Sequence, residues 1–368
     1  MQEIIHVITT ASRGGAENHL LYLSSAQVKS GKSITVVYLK GDGNLSSNFE
    51  SAGVHLISDL ANKNPIVQIF LLRKFLRRTP NALVHSHLPR VELVSVFAAK
   101  KMTRTFSRHN TEPFYPSAPR FISSMLGIVA SRHVKHAIAI SNAVKEAVIS
   151  NKEISMKTTL NVVYYGLPET LEKAGTRLPE EIQDKIDSLR DEGKSILCTV
   201  ARLVPQKDYP TLLRGFHLAL KTNAKLHLLV AGEGPLKLAL TDLSKVLGIY
   251  NEITWLGNIE NPRELMRQSE LFILASCYEG FGLVLLEAIQ SECPIVAAKN
   301  SAIPEVLGEN YEGLFLTGDF KDLSVKIIKL LDIKTAKKAQ MHLLKQLSNF
   351  SVQQMETETF KIYELGLK

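Results

Sequence analysis

The sequence has few cysteines and no long apolar segment. Cys198, Cys277 and Cys293 are odd in number and lack the paired spacing of a zinc site, so we expect buried thiols rather than disulfides. No apolar run reaches the ~20 residues that a membrane-spanning helix needs, and an acid, Glu3, stands where a secretory signal would be basic. These absences predict a cytoplasmic protein.

The length and charge of the chain narrow its class further. With 368 residues, 45% of them apolar, the chain is long enough for two domains of ~150 residues each. Its formal net charge of +8 favours anionic partners. Neither an RNA-binding aromatic signature nor a zinc finger accompanies the charge, so nucleic acid is not an expected partner.

Two successive series of short apolar runs, each rich in Val and Ile, alternate with segments of helical period. This alternation predicts two α/β units, each with a parallel sheet covered by helices on both faces. The predicted strands are residues 4–9, 34–39, 82–85 and 137–140 in the first series and 195–200, 226–231, 253–256, 271–275 and 295–298 in the second.

The two series set the expected domain boundaries. Residues 1–167 form the first domain, and residues 168–350 form a linker and the second domain, with the boundary near Leu167. The linker contains Pro168, Pro179 and many charges, a composition typical of a connector with one helix. The last segment, 351–368, has helical spacing without a strand partner, and we expect it to pack back toward the first domain.

A double glycine, Gly14-Gly15, follows the first predicted strand. Two glycines let the backbone approach a ligand, and the next helix presents free N–H groups to an anion. The alternative is a tight strand-to-helix turn. The loop lacks the G-x-G-x-x-G spacing of a dinucleotide site, so a dehydrogenase is poorly supported.

Two cations follow the first strand of the second series. Arg202 and Lys207 lie five residues apart in a strand-to-helix loop, so both can reach one diphosphate. A guanidinium fork and an ammonium group together neutralise charge that grows on a departing nucleoside diphosphate. Ordinary surface salt bridges are the alternative.

Two carboxylates follow the predicted strand 271–275. Glu279 precedes a new helix, and Glu287 falls about one and a half turns into its otherwise apolar sequence. A carboxylate in such a helix needs a partner, such as the paired hydroxyls of a sugar, although capping or a salt bridge would also serve. Gly280 and Gly282 leave the intervening backbone open.

Four motifs in this order resemble glycosyltransferase family 4, the group 1 retaining glycosyltransferases. They are Gly14-Gly15-Ala16-Glu17, Arg202 with Lys207, Gly232-Glu233-Gly234-Pro235, and Glu279 with Glu287. The resemblance implies the GT-B fold, in which two Rossmann-like doubly wound α/β domains face each other across a cleft. It also implies transfer of a sugar from a nucleoside diphosphate, UDP or GDP, to a glycan or lipid-linked acceptor in bacterial cell-surface polysaccharide or lipopolysaccharide synthesis.

The resemblance assigns roles residue by residue. Arg202 and Lys207 hold the diphosphate, Glu279 contacts the transferred sugar, and Glu287 the ribose. His109 takes the place of a histidine near the reacting sugar. The expected catalytic set is His109, Arg202, Lys207 and Glu279. Further donor contacts fall on Gly15, Gly232, Trp255, Phe281, Gly282 and Leu283, and the acceptor side on Gly14, His85 and His87.

The chain departs from the family pattern at four positions. Tyr165 replaces an asparagine, Glu292 a glycine, and Ser301-Ala302 a glycine pair. Glu292, Ser301 and Ala302 keep open one alternative, a catalytically inactive homologue that serves as a binding subunit. The other alternative is a non-hydrolysing sugar-nucleotide epimerase, which uses a similar two-domain fold and the same class of donor. No Asp-x-Asp pair ends a strand, so we expect neither a metal nor another cofactor.

The segment 65–79 combines apolar and basic residues. Its apolar positions, among them Ile66 and Phe70, form a broad face, and its basic residues are Arg73, Lys74, Arg77 and Arg78. Such a helix can rest on an anionic membrane, which would place the protein peripherally at the inner face of the cytoplasmic membrane. The alternative is an ordinary surface helix with solvated charges.

Overall fold

A computed structural model describes residues 3–12, 14–100, 102–168 and 177–367. The chain divides into two compact units, the first Met1–Glu169 with Phe350–Lys368 and the second Thr170–Asn349. Of the predicted linker, residues 169–176 lie outside the described residues, and the helix expected within it is α7, Glu180–Asp191.

The first unit is built on a seven-stranded parallel sheet. The strands are β1 (Glu3–Thr10), β2 (Ser33–Lys40), β3 (His55–Ile57), β4 (Leu83–His87), β5 (Arg104–Arg108), β6 (His136–Ala139) and β7 (Thr159–Val162). The strand order is β3-β2-β1-β4-β5-β6-β7, so the chain winds outward in one direction and then returns to start on the other side of β1.

Helices cover both faces of this sheet. They are α1 (Gly15–Lys29), α2 (Ser46–Ser51), α3 (Pro65–Leu76), α4 (Pro89–Ala98), α5 (Arg120–Ser131), α6 (Asn142–Ser150) and, from the end of the chain, α15 (Val352–Leu367). Because side chains alternate along a strand, Ile5 and Val7 of β1 join one core with α3 and α4, while Ile4 and Ile8 join another with α1 and α15.

The C-terminal helix α15 belongs to the first unit. The backbone N–H of Leu167 donates to the carbonyl of Phe350 at 3.0 Å, and that of Val352 donates to Leu167 at 3.1 Å. From there α15 packs against α1 and β6 and buries Met355, Ile362 and Tyr363, among others. A Cβ on Gly166 would collide with the backbone of Ser351, so glycine permits this close approach.

The second unit is built on a six-stranded parallel sheet. Its strands are β8 (Ser195–Val200), β9 (Leu226–Ala231), β10 (Ile253–Gly257), β11 (Leu271–Leu274), β12 (Ile295–Ala298) and β13 (Leu314–Phe315). Their order in the sheet is β10-β9-β8-β11-β12-β13. Besides α7, its helices are α8 (Tyr209–Thr222), α9 (Lys237–Val246), α10 (Pro262–Arg267), α11 (Leu283–Gln290), α12 (Ile303–Leu307), α13 (Phe320–Leu330) and α14 (Ile333–Leu347).

The sequence predicted two doubly wound units, and the structure confirms this class of fold. All nine predicted strands are present, but β3, β5, β7 and β13 were not predicted. Each sheet reverses its winding at one place, between β1 and β4 and between β8 and β11, and ligands of such sheets bind at the carboxyl ends of strands there. No helix in the described part of the chain combines the length and hydropathy needed to cross a bilayer.

Candidate active site

The winding reversal of the second sheet brings the predicted cations and one predicted carboxylate together. Arg202 and Lys207 follow β8, and Glu279 follows the adjacent strand β11. Two hydrogen bonds tie the loops to each other: Cys277 N–H donates to the Gln206 carbonyl at 2.8 Å, and Gln206 Nε2 donates to the Tyr278 carbonyl at 2.9 Å. The loops therefore form one structure.

Lys207 and Glu279 form an ion pair at this place. Lys207 Nζ lies 2.6 Å from Glu279 Oε1, and their side chains are 14% and 9% exposed. Ser276 Oγ donates to the same carboxylate oxygen at 2.7 Å. A largely buried charge needs such partners, and the two donors fix the Glu279 carboxylate in position.

Arg202 differs from Lys207 because its side chain is exposed and has no hydrogen-bond or ion-pair partner within the described ranges. Lys207 belongs to a single 3-10 turn, Pro205–Lys207, that ends at Asp208 in a left-handed conformation. Asp208 then caps α8 by accepting from Thr211 N–H. The turn thus holds Lys207 in place and leaves the Arg202 guanidinium available to an anion.

The loop after β11 leads directly into α11. Gly282 caps the helix at φ +86°, a left-handed conformation that favours glycine. Phe281 and Leu283 are buried on either side, so their side chains anchor the turn. The backbone of Phe281 and Leu283 and the first N–H groups of α11 follow Glu279 closely in sequence. A phosphate bound at this helix start would be stabilised by the helix dipole.

Glu287 lies farther along α11 and is half-buried. Its carboxylate has no hydrogen-bond partner among the residues that the structure describes. Burial raises the pKa of Glu287 to about 7, and the nearby Arg263 guanidinium partly opposes that rise. A carboxylate in this state gains by accepting hydrogen bonds from a pair of ligand hydroxyls.

Gly232 directly follows β9, and Trp255 lies in the middle of β10. Gly232 has φ +139°, and a Cβ there would collide with the carbonyl of Ala201, so the loop after β8 requires glycine at this position. Trp255 packs under Lys237, whose Nζ lies 4.6 Å from the ring centroid. The Trp255 indole N–H is buried without a partner in the described chain.

In the first unit, Gly14 caps α1 in an extended conformation and Gly15 begins the helix, with open space around its Cα. His109 follows β5. Its Nδ1 pairs with the Tyr165 hydroxyl, and its Nε2 lies 3.1 Å from His87 Nδ1, so both ring nitrogens are engaged inside the unit. Burial lowers the pKa of His109 to about 3.

One expectation for the first unit was wrong. His85 and His87 do not line an acceptor surface, because both side chains are fully buried in a polar layer between β4 and α1. Arg108, next to His109 in sequence, lies inside the unit, with Nε 2.9 Å from Glu92 Oε1 and Nη1 3.4 Å from Glu153 Oε2.

Two of the departures from the family pattern keep the backbone that glycine favours. Glu292 has φ +54° and Ser301 has φ +45°, both left-handed, whereas Ala302 lies in the ordinary helical region. A side chain in this conformation costs roughly 1–2 kcal/mol. The turns are therefore retained despite the loss of glycine. Tyr165 is buried and stacks on His19, with ring centroids 4.0 Å apart.

Several site residues were missed from the sequence. Ser276 and Gln206 hold the loops of Lys207 and Glu279 together in the second unit, while His6, His19 and Gln27 lie around His87 and His109 in the first. A signal was available for His6, which interrupts the apolar run of a central strand.

Two family descriptions match the chain. "Glycosyltransferase Family 4" matches residues 13–167, and "Glycosyl transferases group 1" matches residues 180–345. Between them they cover most of the sequence and follow the division into two units.

Curated relatives are glycosyltransferases. An N-acetylgalactosamine-N,N'-diacetylbacillosaminyl-diphospho-undecaprenol 4-alpha-N-acetylgalactosaminyltransferase of Campylobacter jejuni is 32% identical over 175 residues, which is 47% of this chain and 44% of that protein. The chain thus matches less than half of that relative. The phosphatidylinositol N-acetylglucosaminyltransferase GPI3 subunit of Saccharomyces cerevisiae is 23% identical over 80% of this chain and 67% of its own length.

Solved structures share the fold over the full length. Anabaena HepE in complex with UDP-glucose has a TM-score of 0.84 and 18% identity, with 99% of this chain and 100% of that chain covered. Sucrose-phosphate synthase from Thermosynechococcus elongatus has a TM-score of 0.77, with 16% identity and 99% of each chain covered. The chain therefore belongs to the family 4, group 1 glycosyltransferases and has the GT-B fold.

Proposed function

We propose that the chain is a retaining, metal-independent hexosyltransferase that uses a nucleoside diphosphate sugar, with UDP or GDP as its nucleotide. The observation that carries this proposal is the ion pair of Lys207 with Glu279 at the winding reversal of the second sheet, in the same loop as the exposed Arg202. It joins a cation suited to phosphate and a carboxylate suited to sugar hydroxyls within 2.6 Å.

The cations stabilise the leaving group. As the bond from the sugar to the diphosphate breaks, negative charge grows on the phosphate oxygens. Arg202 offers a guanidinium fork and Lys207 a point charge to those oxygens, and the N–H groups at the start of α11 add a positive dipole. Preorganised groups of this kind stabilise the transition state more than the ground state.

The carboxylates orient the donor. Glu279 accepts from hydroxyls of the transferred sugar and does not attack it, while Glu287, half-buried and without a partner in the described chain, accepts from the ribose hydroxyls. In a retaining transfer without a covalent intermediate, the acceptor hydroxyl approaches the face from which the nucleotide departs. The departing phosphate then takes its proton.

The relatives support the class of donor and acceptor. Anabaena HepE structures contain UDP or UDP-glucose, which supports a UDP-sugar donor. The Campylobacter relative is named for an undecaprenol-diphosphate acceptor and the yeast relative for phosphatidylinositol, so a lipid-linked acceptor, and with it cell-surface polysaccharide synthesis, is the favoured assignment.

One surface of the first unit supports docking on an anionic membrane. Helices α3, α4 and α5 pack side by side and expose Ile66, Phe70 and Phe97, together with Phe121 and Met125 of α5. Lys74, Arg77 and Arg78 border these apolar groups and are exposed. Arg73 contributes less to this surface than expected, because it is half-buried and donates to the Phe97 carbonyl at 2.5 Å.

The two rivals make different predictions. An inactive binding subunit would bind a donor but never cleave it, so no free nucleoside diphosphate would form. The left-handed turns retained at Glu292 and Ser301 weigh against this alternative. An epimerase would convert the donor sugar without any acceptor and would need an acid and a base beside the sugar carbon.

A donor panel tests the proposal. Thermal shift and calorimetry with UDP-, GDP-, ADP- and dTDP-sugars should identify one nucleotide class that binds and stabilises the protein. Glu287→Gln should weaken nucleotide binding, whereas Glu312→Gln, which alters a carboxylate paired with Lys329 on the same unit, should not. Binding by no member of the panel, or equal effects of the two variants, would refute the proposed donor site.

A further inference from the structure

A polar layer crosses the interior of the first unit where a parallel sheet is normally apolar. His6 on β1 is the register partner of His85 on β4, and His87 follows on the same face. All three side chains are fully buried beneath α1 and α15. Burying polar groups costs free energy unless each is hydrogen-bonded, so the layer must be satisfied internally.

One continuous hydrogen-bond chain satisfies the layer. From the Tyr165 hydroxyl it passes to His109 Nδ1, then from His109 Nε2 to His87 Nδ1 at 3.1 Å and from His87 Nε2 to His6 Nδ1 at 3.0 Å. His6 Nε2 lies 2.8 Å from Gln27 Oε1.

The hydrogen-bond chain continues beyond Gln27. Gln27 Nε2 donates to the Tyr363 hydroxyl at 3.3 Å, which lies 2.7 Å from His85 Nδ1. His85 Nε2 then lies 2.8 Å from Ser107 Oγ. Every ring nitrogen of His6, His85, His87 and His109 is engaged once.

All four imidazoles in this hydrogen-bond chain are neutral at pH 7. Burial lowers the pKa of His6 to about 4 and of His109 to about 3, and it lowers the pKa of His85 and His87 well below the usual value. A neutral imidazole has one N–H donor and one acceptor nitrogen. The direction of one bond in the chain therefore fixes the direction of the next.

The Gln27 amide is the only member of the chain whose two ends differ permanently, because its oxygen only accepts and its nitrogen only donates. With Oε1 toward His6, the Nε2–H of His6 donates to Gln27, and His87 and His109 must each donate through Nε2–H as well. On the other arm Gln27 donates to Tyr363, Tyr363 to His85, and His85 through Nε2–H to Ser107. Every bond thus runs in the same direction.

We infer that Gln27 sets the tautomer of His109 from three hydrogen bonds away, and that it holds His109 with its proton on Nε2 and its Nδ1 bare toward Tyr165. Gln27, His6 and His87 are then positioning residues that act through His109. This inference deepens the proposed function and rests on it where His109 contacts the sugar. A bare Nδ1 accepts from a sugar hydroxyl that replaces Tyr165, whereas the opposite tautomer would present a donor.

A metal ion is the competing explanation for the cluster. The nitrogens of His6, His85 and His87 lie within 4.8 Å of one another, which is a spacing that a metal can use. Each of these nitrogens already has a hydrogen-bond partner, and metal binding would displace those bonds. In one explanation the nitrogen lone pairs of these histidines accept hydrogen bonds, and in the other they bind a metal ion.

Nitrogen NMR on protein labelled with ¹⁵N-histidine reads the tautomers directly, without reference to activity. In the full-length wild-type protein, His6, His85, His87 and His109 should all be protonated on Nε2 and bare on Nδ1. Mixed tautomers, protonation of the four on Nδ1, or stoichiometric tightly bound metal would overturn the inference. This measurement needs no variant and so stands even if a substitution fails to fold.

Gln27→Met tests whether Gln27 sets the tautomer of His109 through the intervening hydrogen bonds. It keeps the length of the side chain and removes both polar atoms, so the tautomers of His87 and His109 should become mixed although neither contacts residue 27. Ser24→Ala is the matched control, because Ser24 is equally buried on α1 and bonds only to its own helix at Leu21. Unchanged His109 signals in folded Gln27→Met would refute the inference.

Activity separates this inference from the proposed function. Gln27→Met should lower kcat about 10- to 100-fold with little change in donor KM, since the sugar contact is misaligned while the nucleotide contacts remain. If the tautomers respond as expected but the wild-type protein transfers no sugar, the proposed function fails. The inference that Gln27 sets the tautomer of His109 then still holds. If transfer is intact and the tautomers ignore residue 27, only the inference fails.

Discussion

Lys207 Nζ contacts Glu279 Oε1 at 2.6 Å across two loops that are 72 residues apart in sequence. The pair lies at the carboxyl ends of β8 and β11, where the winding of the second sheet reverses. Such a pair has two possible roles, to join two loops or to hold a phosphate next to a sugar, and substitutions distinguish them.

Lys207→Ala and Arg202→Ala should each lower turnover far more than stability. Transition-state contacts of this type are worth on the order of 3 kcal/mol, or ~100-fold in rate. Arg202 is exposed and makes no ion pair in the described chain, and the Glu279 carboxylate keeps its hydrogen bond from Ser276 when Lys207 is removed. Steady-state kinetics and urea unfolding of the same preparations provide the two values. Near-native turnover in both variants would remove these residues from the mechanism.

A charge swap, Lys207→Glu with Glu279→Lys, sharpens this comparison. The swap restores an ion pair between the loops but places an anion where the diphosphate should bind. We expect recovered thermal stability without recovered transfer. Recovery of both would show that the pair serves only to join the loops.

Transfer should be insensitive to EDTA, because Arg202 and Lys207 supply the positive charge that a divalent cation would otherwise provide. Rates measured in EDTA and in added Mg²⁺ or Mn²⁺ should agree. A loss of rate in EDTA that Mg²⁺ restores would reveal a metal requirement.

Acid should destabilise the first unit before the second. The pKa of His6 is about 4 when folded and ordinary, near 6.5, when unfolded, so unfolding takes up protons as pH falls below 6.5 and the folded state loses stability. This one shift is worth about 3 kcal/mol, and the pKa values of His19, His85, His87 and His109 move in the same direction. In the same unit Glu92, with its pKa raised to about 7, opposes the loss but is outnumbered.

The position of the only tryptophan allows this to be measured. Trp255 lies in the second unit, so its fluorescence follows that unit while far-ultraviolet circular dichroism follows both. In urea the two transitions should separate as pH is lowered from 7 to 5, with part of the dichroism lost first. Transitions that shift together would contradict unequal proton uptake.

Charge reversal at Lys74, Arg77 and Arg78 should abolish binding to anionic vesicles. Each basic residue near an anionic surface contributes about 1 kcal/mol, so removal of three weakens attachment strongly. Lys334, Lys337 and Lys338 of α14 are also exposed, and their reversal is the matched control with the same change in net charge. Co-sedimentation that falls equally in both variants would indicate non-specific electrostatic attraction. If the wild-type protein does not bind the vesicles at all, α3 is an ordinary surface helix with solvated charges.

The sequence predicted those parts of the fold that depend on local pattern. Apolar runs gave all nine predicted strands, and the spacing of Arg202, Lys207 and Glu279 after strands predicted their common location. Strand β5 was missed because its sequence, Arg104-Thr105-Phe106-Ser107-Arg108, contains one apolar side chain. Several of its polar side chains bond to distant partners, such as Arg108 to Glu153 and Ser107 to His85.

The histidine layer was beyond prediction for the same reason. His85 and His87 were recognised only as residues at a strand end, and nothing local links them to Gln27 on α1 or to Tyr363 at the end of the chain. The direction of the hydrogen bonds follows only when every donor and acceptor is counted together.

Single-turnover release of nucleoside diphosphate tests the central claim most directly. Wild-type protein should cleave one class of nucleoside diphosphate sugar in EDTA, slowly without acceptor and faster with a lipid-linked or glycan acceptor, and the anomeric configuration should be retained in the product. Glu279→Gln and Lys207→Ala should bind that donor with near-normal affinity and release nucleotide about 100-fold more slowly. Tight donor binding by wild type with no cleavage under any condition would contradict the account and identify the chain as a binding subunit.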